Sequence, residues 1–231
     1  MRASLFDRWT YIGRTGKGKT FGAKQILHHA AKTFDAWQDP NAQILILKTK
    51  NPRIPDFTAR DFSGTTYEAK RGVKAWRRSR ARVIVVELSP KEWMSPKKSF
   101  ELFYATVIAA AQGRRGKDLI VYTDEMTTIT EGKTNGGGPN FKHIYQQGRG
   151  EHIGAHAGQQ DASFIDRVML SQVEHFLIWP LRMPTDRKKM SLITGIDLPE
   201  HYADEHGVWY SGPDGNLYVP DIRDLLWDIP T

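Results

Sequence analysis

The 231-residue chain has no cysteine, which excludes a disulfide framework and any thiolate metal site. Long apolar runs are missing too. The longest, Leu102 to Ala111, is about half of the ~20 residues a membrane helix needs, and the N-terminal MRASLFDRWT has no secretory hydrophobic stretch. These absences predict a soluble, intracellular protein with no transmembrane segment of its own. Glycine and proline are at ordinary levels, and 39% hydrophobic with 11% aromatic residues excludes collagen, low complexity and disorder. The length fits one domain able to bury its own core. Acidic residues are lacking in one place above all: Lys70 to Arg82 holds Lys70, Arg71, Lys74, Arg77, Arg78, Arg80 and Arg82 and no acid. The formal charge of +7 resides wholly in this segment, outside which positive and negative residues number 26 each.

Short, mostly non-alternating apolar runs recur at Trp9 to Ile12, Gln43 to Leu47, Arg82 to Glu87, Leu119 to Thr123, Ile153 to Gly158 and Phe176 to Leu181. They read as strands buried on both faces. Helical patterns lie between them, at Thr20 to Phe34, Lys97 to Gln112, Asn140 to Gly148, Asp161 to Ser171 and Asp186 to Leu192. The alternation predicts an α/β sandwich around a mainly parallel sheet, with ligand loops at the carboxyl ends of the strands. Near the C-terminus, Val208 to Tyr210 and Leu217 to Val219 flank the turn cluster Gly212-Pro213-Asp214-Gly215 and read as a small β-hairpin. Residues 1–231 are expected to form a single domain, with a core over about 9–195 and an appendage over about 196–231. The stretch EGKTNGGGP, Glu131 to Pro139, reads as the most flexible segment.

Chemistry enters at Gly13-Arg14-Thr15-Gly16-Lys17-Gly18-Lys19-Thr20, which matches G-x-x-x-x-G-K-[ST] in full. Its glycines let successive backbone N–H groups face phosphate oxygens at the start of a helix. Lys19 would reach the β and γ phosphates of ATP, and Thr20 would offer its hydroxyl to Mg²⁺. A second strand ends in Thr123-Asp124-Glu125. Asp124 would hold the metal and Glu125 polarise an attacking water, a division of labour that favours hydrolysis. Glu87, which ends RVIVVE, is the competing acid but has no second carboxylate beside it. The histidines His28, His29, His152 and His156 have no cysteine or acidic cluster at metal-ligand spacing.

GRTGKGKT and LIVYTDE, with the later stretch Gln147 to Gln160 (QGRGEHIGAHAGQQ), resemble the FtsK/HerA superfamily of DNA-pumping ATPases. More narrowly, they resemble the genome-packaging ATPases of tailless, membrane-containing double-stranded DNA viruses and phages. The resemblance implies a RecA-like (ASCE) P-loop NTPase sheet in which the strand ending at Gln160 lies between the phosphate-loop strand and the Asp124 strand. It also implies that Gln160 senses the γ-phosphate, with the adjacent Gln159 as its rival. Arg149 would be an arginine finger offered to a neighbouring subunit of a homo-oligomeric ring, a hexamer or pentamer; Arg167 and Arg182 are alternatives. The family often has an aspartate after the second strand, where this chain reads Leu47-Lys48-Thr49-Lys50. The phosphate-loop strand begins almost at the N-terminus, as expected of a minimal viral motor in the host cytoplasm or on the virion, anchored by a vertex or membrane component.

A translocase contacts duplex DNA through its phosphates, without sequence preference. Arg77, Arg78 and Arg80, with Trp76 among them, are candidate contacts, as are Lys133 in the glycine-rich loop and the cluster Arg114, Arg115 and Lys117. Two other classes share parts of the pattern: a small-molecule or nucleoside kinase with the same phosphate loop, and a non-enzymatic, nucleotide-stabilised DNA-binding scaffold.

Overall fold

The computed structural model describes residues 6–14, 17–49, 57–113, 116–130, 136–204 and 207–225. In chain order the elements are β1 (Arg8–Ile12), α1 (Lys19–Ala36), β2 (Gln43–Lys48), β3 (Tyr67–Arg71), β4 (Val83–Glu87), α2 (Pro96–Ala111), β5 (Leu119–Thr123) and α3 (Met126–Thr130). There follow α4 (Pro139–Gln147), β6 (Ile153–Gln159), α5 (Arg167–Gln172), β7 (His175–Ile178), α6 (Pro184–Thr194), β8 (Val208–Gly212), β9 (Gly215–Val219) and α7 (Ile222–Leu225). The strands form one sheet in the order β3-β4-β2-β5-β6-β1-β7-β8-β9. Pairing is parallel from β3 through β7, and the hairpin β8–β9 continues the β7 edge antiparallel.

Period-two alternation sorts each central strand between two cores. In β2, Ile44 and Ile46 face α1 together with Trp9, Tyr11, Ile120 and Tyr122. Leu45 and Leu47 face the opposite side with Val121, Ala155, Phe103 and Phe141. Both faces are covered, which is why these strands read as continuous apolar runs.

The cationic segment is divided among three settings. Lys70 and Arg71 end β3, Ala75–Arg78 form a 3-10 turn, and Arg82 stands at the foot of β4. Val73, Trp76 and Ser79 turn inward while Lys74, Arg77, Arg78 and Arg80 stay exposed, the three-residue repeat of a 3-10 turn. Trp76 is fully buried, so it is an anchor and not a platform for bases. Burying an indole stabilises by about 2–3 kcal/mol or more, against at most ~1 kcal/mol for a surface ion pair, so the aromatic residue and not the charges fixes the segment.

The glycine-rich stretch is described only over 136–139. Residues 131–135, Lys133 included, lie outside the described residues. A Cβ on Gly137 would stand 2.2 Å from Phe141, and one on Gly138 2.2 Å from Glu101, so these glycines permit close packing. Glu101 in turn accepts the Asn140 and Phe141 N–H groups at the start of α4.

Candidate nucleotide-binding site

The carboxyl ends of β1, β6 and β5 lie side by side, as the resemblance implied. Beyond β1, the Gly13 N–H donates to the Gln159 carbonyl at 3.1 Å, which ties the start of the phosphate loop to the end of β6. Gly18 has φ +95°, a left-handed conformation that suits glycine, and directly precedes α1. The first turn of α1 carries no acid, so its positive end faces the loop uncompensated. Arg14 is exposed, Lys17, Gly18 and Thr20 are half-buried, and Thr15 and Gly16 lie outside the described residues. Lys19 is buried, and its Nζ donates to the carbonyls of Gly13 at 3.1 Å and Gln159 at 3.2 Å.

Trp179 is the residue of this loop that the sequence did not single out. It follows β7, its N–H donates to the Ile12 carbonyl at 2.8 Å, and it is fully buried. A Cβ on Gly13 would meet Trp179 at 2.6 Å and one on Gly22 at 2.5 Å, while Trp179 Nε1 stands 3.2 Å from the same position on Gly18. Gly18 and Gly22 thus pack on the Trp179 indole and Gly13 on its Cβ and backbone, so that Trp179 supports the loop from behind. A glycine repeated four residues after Gly18 was the available sequence signal, because a glycine inside a helix costs about 1 kcal/mol relative to alanine and calls for a packing reason.

Asp124 and Glu125 follow β5 and are both buried. The Asp124 N–H donates to the Leu47 carbonyl at 3.2 Å. The Thr49 hydroxyl accepts from the Glu125 N–H at 3.0 Å and donates to its carbonyl at 3.2 Å, so Thr49 pins the Glu125 main chain. On β6, a Cβ on Gly158 would lie 2.3 Å from the Asp124 carbonyl oxygen, which requires glycine there. Glu87 lies on β4, four strand positions or about 19 Å from β1, whereas Asp124 lies on β5, two positions or about 10 Å away. Glu87 pairs instead with buried Lys48 at 3.5 Å.

Of the two glutamines, Gln159 has its side chain in the site: its Nε2 donates to Thr127 Oγ1 at 3.0 Å, and that hydroxyl donates to Glu125 Oε1 at 2.9 Å. Gln160 is half-buried just past the end of β6. Burial, with Asp186 and Glu125 nearby, raises the carboxyl of the neighbouring Asp161 above its ordinary range, against the opposing effect of Lys19.

Arg149 is not at this edge. It lies in the turn Gly148–Glu151 before β6, with its guanidinium 2.7 Å from Glu174 and 3.8 Å from Asp7 and its side chain 59% exposed. Arg182 is exposed two residues past Pro180, whose carbonyl accepts the Arg14 N–H, and Arg167 opens α5. The histidines have other partners: His156 bonds the Tyr11 hydroxyl at 2.9 Å, His152 pairs with Asp118 at 3.1 Å and His28 bonds the Ser63 carbonyl. Lys117 bonds the Gln43 side chain and stands over the Trp76 ring, while Arg114 and Arg115 lie outside the described residues.

No protein-family model and no curated protein matches the chain. Solved structures do. The genome-packaging NTPase B204 from Sulfolobus turreted icosahedral virus 2, in complex with ATP-gammaS, superposes with a TM-score of 0.62 at 11% identity, covering 95% of this chain and 100% of that one. EssC (ATPases 2 and 3) from Geobacillus thermodenitrificans gives 0.60 at 11% identity, covering 99% of this chain and 46% of that one. The pCW3 conjugation coupling protein TcpA, with ATPgS, gives 0.57 at 15% identity, covering 95% and 61%. This chain therefore has the α/β fold of the RecA-like P-loop ATPases, with structural neighbours among viral genome-packaging and FtsK/HerA-type ATPases, as its sequence motifs imply.

Proposed function

We propose that this protein is an ATP-driven double-stranded DNA translocase, a viral genome-packaging ATPase that hydrolyses ATP in a homo-oligomeric ring. The observation that carries the reading is the convergence of Lys19 with the buried acids Asp124 and Glu125 at the carboxyl ends of three adjacent strands. In this reading residues 1–231 act as one ATPase domain, in the host cytoplasm or on the virion, anchored through a vertex or membrane component. Among the described residues no helix is long and apolar enough to cross a membrane.

Gly13 to Thr20 would cradle the phosphates of ATP. Lys19 would exchange its two carbonyl partners for β and γ phosphate oxygens, a move that loosens the tie between the phosphate loop and Gln159. The Thr20 hydroxyl and Asp124 carboxylate are hard oxygen donors, suited to Mg²⁺ bound largely through its waters. Mg²⁺ supplies charge neutralisation at the phosphates when bound. Glu125 would take a proton from the attacking water, and a glutamine at the end of β6 would report the γ-phosphate. Sequence reading favoured Gln160 for that role, and the side-chain bonds of Gln159 favour Gln159. Arg149 would complete the site of a neighbouring subunit.

For DNA, the candidates are the exposed Arg77, Arg78 and Arg80. Arg77 and Arg78, with Lys70 and Lys74, line a groove of about 830 Å³ beside the β3 edge. Lys133 belongs to the same proposal on sequence grounds alone. Replacing Arg77, Arg78 and Arg80 together by alanine is expected to flatten the plot of log affinity for duplex DNA against log salt by about two to three units, near 0.9 per lost phosphate contact. An unchanged slope would make the segment an ordinary solvated face. The reading as a whole is tested by ATP turnover with and without duplex DNA.

A further inference from the structure

We infer that Thr127 is a positioning residue that couples Glu125 to Gln159; the inference rests on the reading of Glu125 as the group that activates water. Thr127 lies in α3, two residues past Glu125, and no motif marks it. Its hydroxyl has one proton, which goes to Glu125 Oε1 at 2.9 Å, and its oxygen accepts from Gln159 Nε2 at 3.0 Å. The other Gln159 amide hydrogen goes to the Asp161 carbonyl at 3.1 Å. Both amide hydrogens are then committed, which fixes the orientation of the amide and leaves Gln159 Oε1 as its acceptor.

Each of the two side chains joined by Thr127 keeps one buried oxygen without a hydrogen-bond partner among the described residues, Glu125 Oε2 and Gln159 Oε1. A buried acceptor with nothing to accept is costly, so groups left this way call for an explanation. The linkage through Thr127 joins the carboxylate and the amide by two hydrogen bonds, and in this inference their free oxygens take the two hydrogens of one water molecule. That water then presents its lone pair to the γ-phosphorus. As the new O–P bond forms, one water proton passes to Glu125 Oε2, and the bond from the γ-phosphorus to the bridging oxygen breaks with its electron pair left on ADP. Thr127 touches neither phosphate nor water in this scheme. It holds one carboxylate oxygen so that the other is free, and it sets the distance to Gln159, whose main-chain carbonyl accepts from Lys19.

The test is steady-state ATP hydrolysis by the full chain with duplex DNA, comparing wild type with Thr127→Val and Thr127→Ser. Valine keeps the shape and removes the hydroxyl, whereas serine keeps the hydroxyl. Loss of a hydrogen bond to a charged group is expected to lower kcat about tenfold or more in Thr127→Val with KM little changed, and Thr127→Ser is expected to restore kcat. Thr127→Ala carries the same expectation and stands in if the valine variant does not fold. Wild-type kcat in the hydroxyl-free variants, or a serine variant as impaired as valine, overturns the coupling. Absence of ATP turnover in the wild type overturns the reading of Glu125 along with it, whereas wild-type turnover with an unaffected Thr127→Val overturns the coupling alone.

Discussion

Glu125→Gln is expected to lower ATP turnover by about 10²- to 10⁴-fold while ATP still binds, the range spanned by loss of a positioned general base. The substitution is isosteric, and the Glu125 main chain is held by Thr49 on both its N–H and its carbonyl, so the local fold has reason to persist. In the proposed reading Lys19, Thr20 and Asp124 would remain to bind phosphate and metal, but an amide cannot accept the proton of the attacking water. Steady-state hydrolysis beside equilibrium ATP binding checks the prediction. Unchanged turnover would return the protein to the kinase or scaffold class. A kinase is further recognised by turnover that needs an acceptor other than water.

Arg149→Ala carries the second large effect, about 10³- to 10⁵-fold if its guanidinium meets the γ-phosphoryl charge of a neighbouring site. The geometry makes this prediction sharp. Arg149 precedes β6 and the site follows it, so the length of seven residues, about 20 Å, separates Arg149 from the phosphate loop of its own subunit. It can act only on another copy, and to do so it must leave Glu174 and Asp7. Mixing Arg149→Ala with Lys19→Ala, each inactive alone, is expected to restore part of the turnover. Intact Lys19 sites in the first variant can then receive Arg149 from the second. No recovery on mixing, or full activity in Arg149→Ala, assigns the role elsewhere, with Arg182 and Arg167 next in line.

The parts of the fold that were legible in the sequence are those where a local pattern and its structural cause coincide. The central strands are buried on both faces and therefore read as apolar runs, and the phosphate loop and Asp124-Glu125 are contiguous in sequence. β3 escaped because an edge strand is half solvated, and Tyr67-Glu68-Ala69-Lys70-Arg71 looks like part of a charge run. The helix expected over Asp161 to Ser171 is instead a 3-10 turn at Ala162–Phe164 separated from α5 by Ile165 and Asp166, and the Asp166 side chain caps the Val168 N–H. Gly137 and Gly138 suggest freedom because glycine permits both mobility and close approach, and it is their neighbours Phe141 and Glu101 that a Cβ would meet. Trp179 reaches the phosphate loop, and Thr127 reaches Gln159, through tertiary contacts that no local sequence pattern announces.

The most direct test of the central claim is the ATP hydrolysis rate of the wild-type protein, measured across protein concentration with and without duplex DNA. The account predicts hydrolysis stimulated by duplex DNA, with a specific activity that falls on dilution as subunits lose the arginine of their neighbours. Hydrolysis absent even with DNA, or a specific activity indifferent to both DNA and dilution, would contradict it.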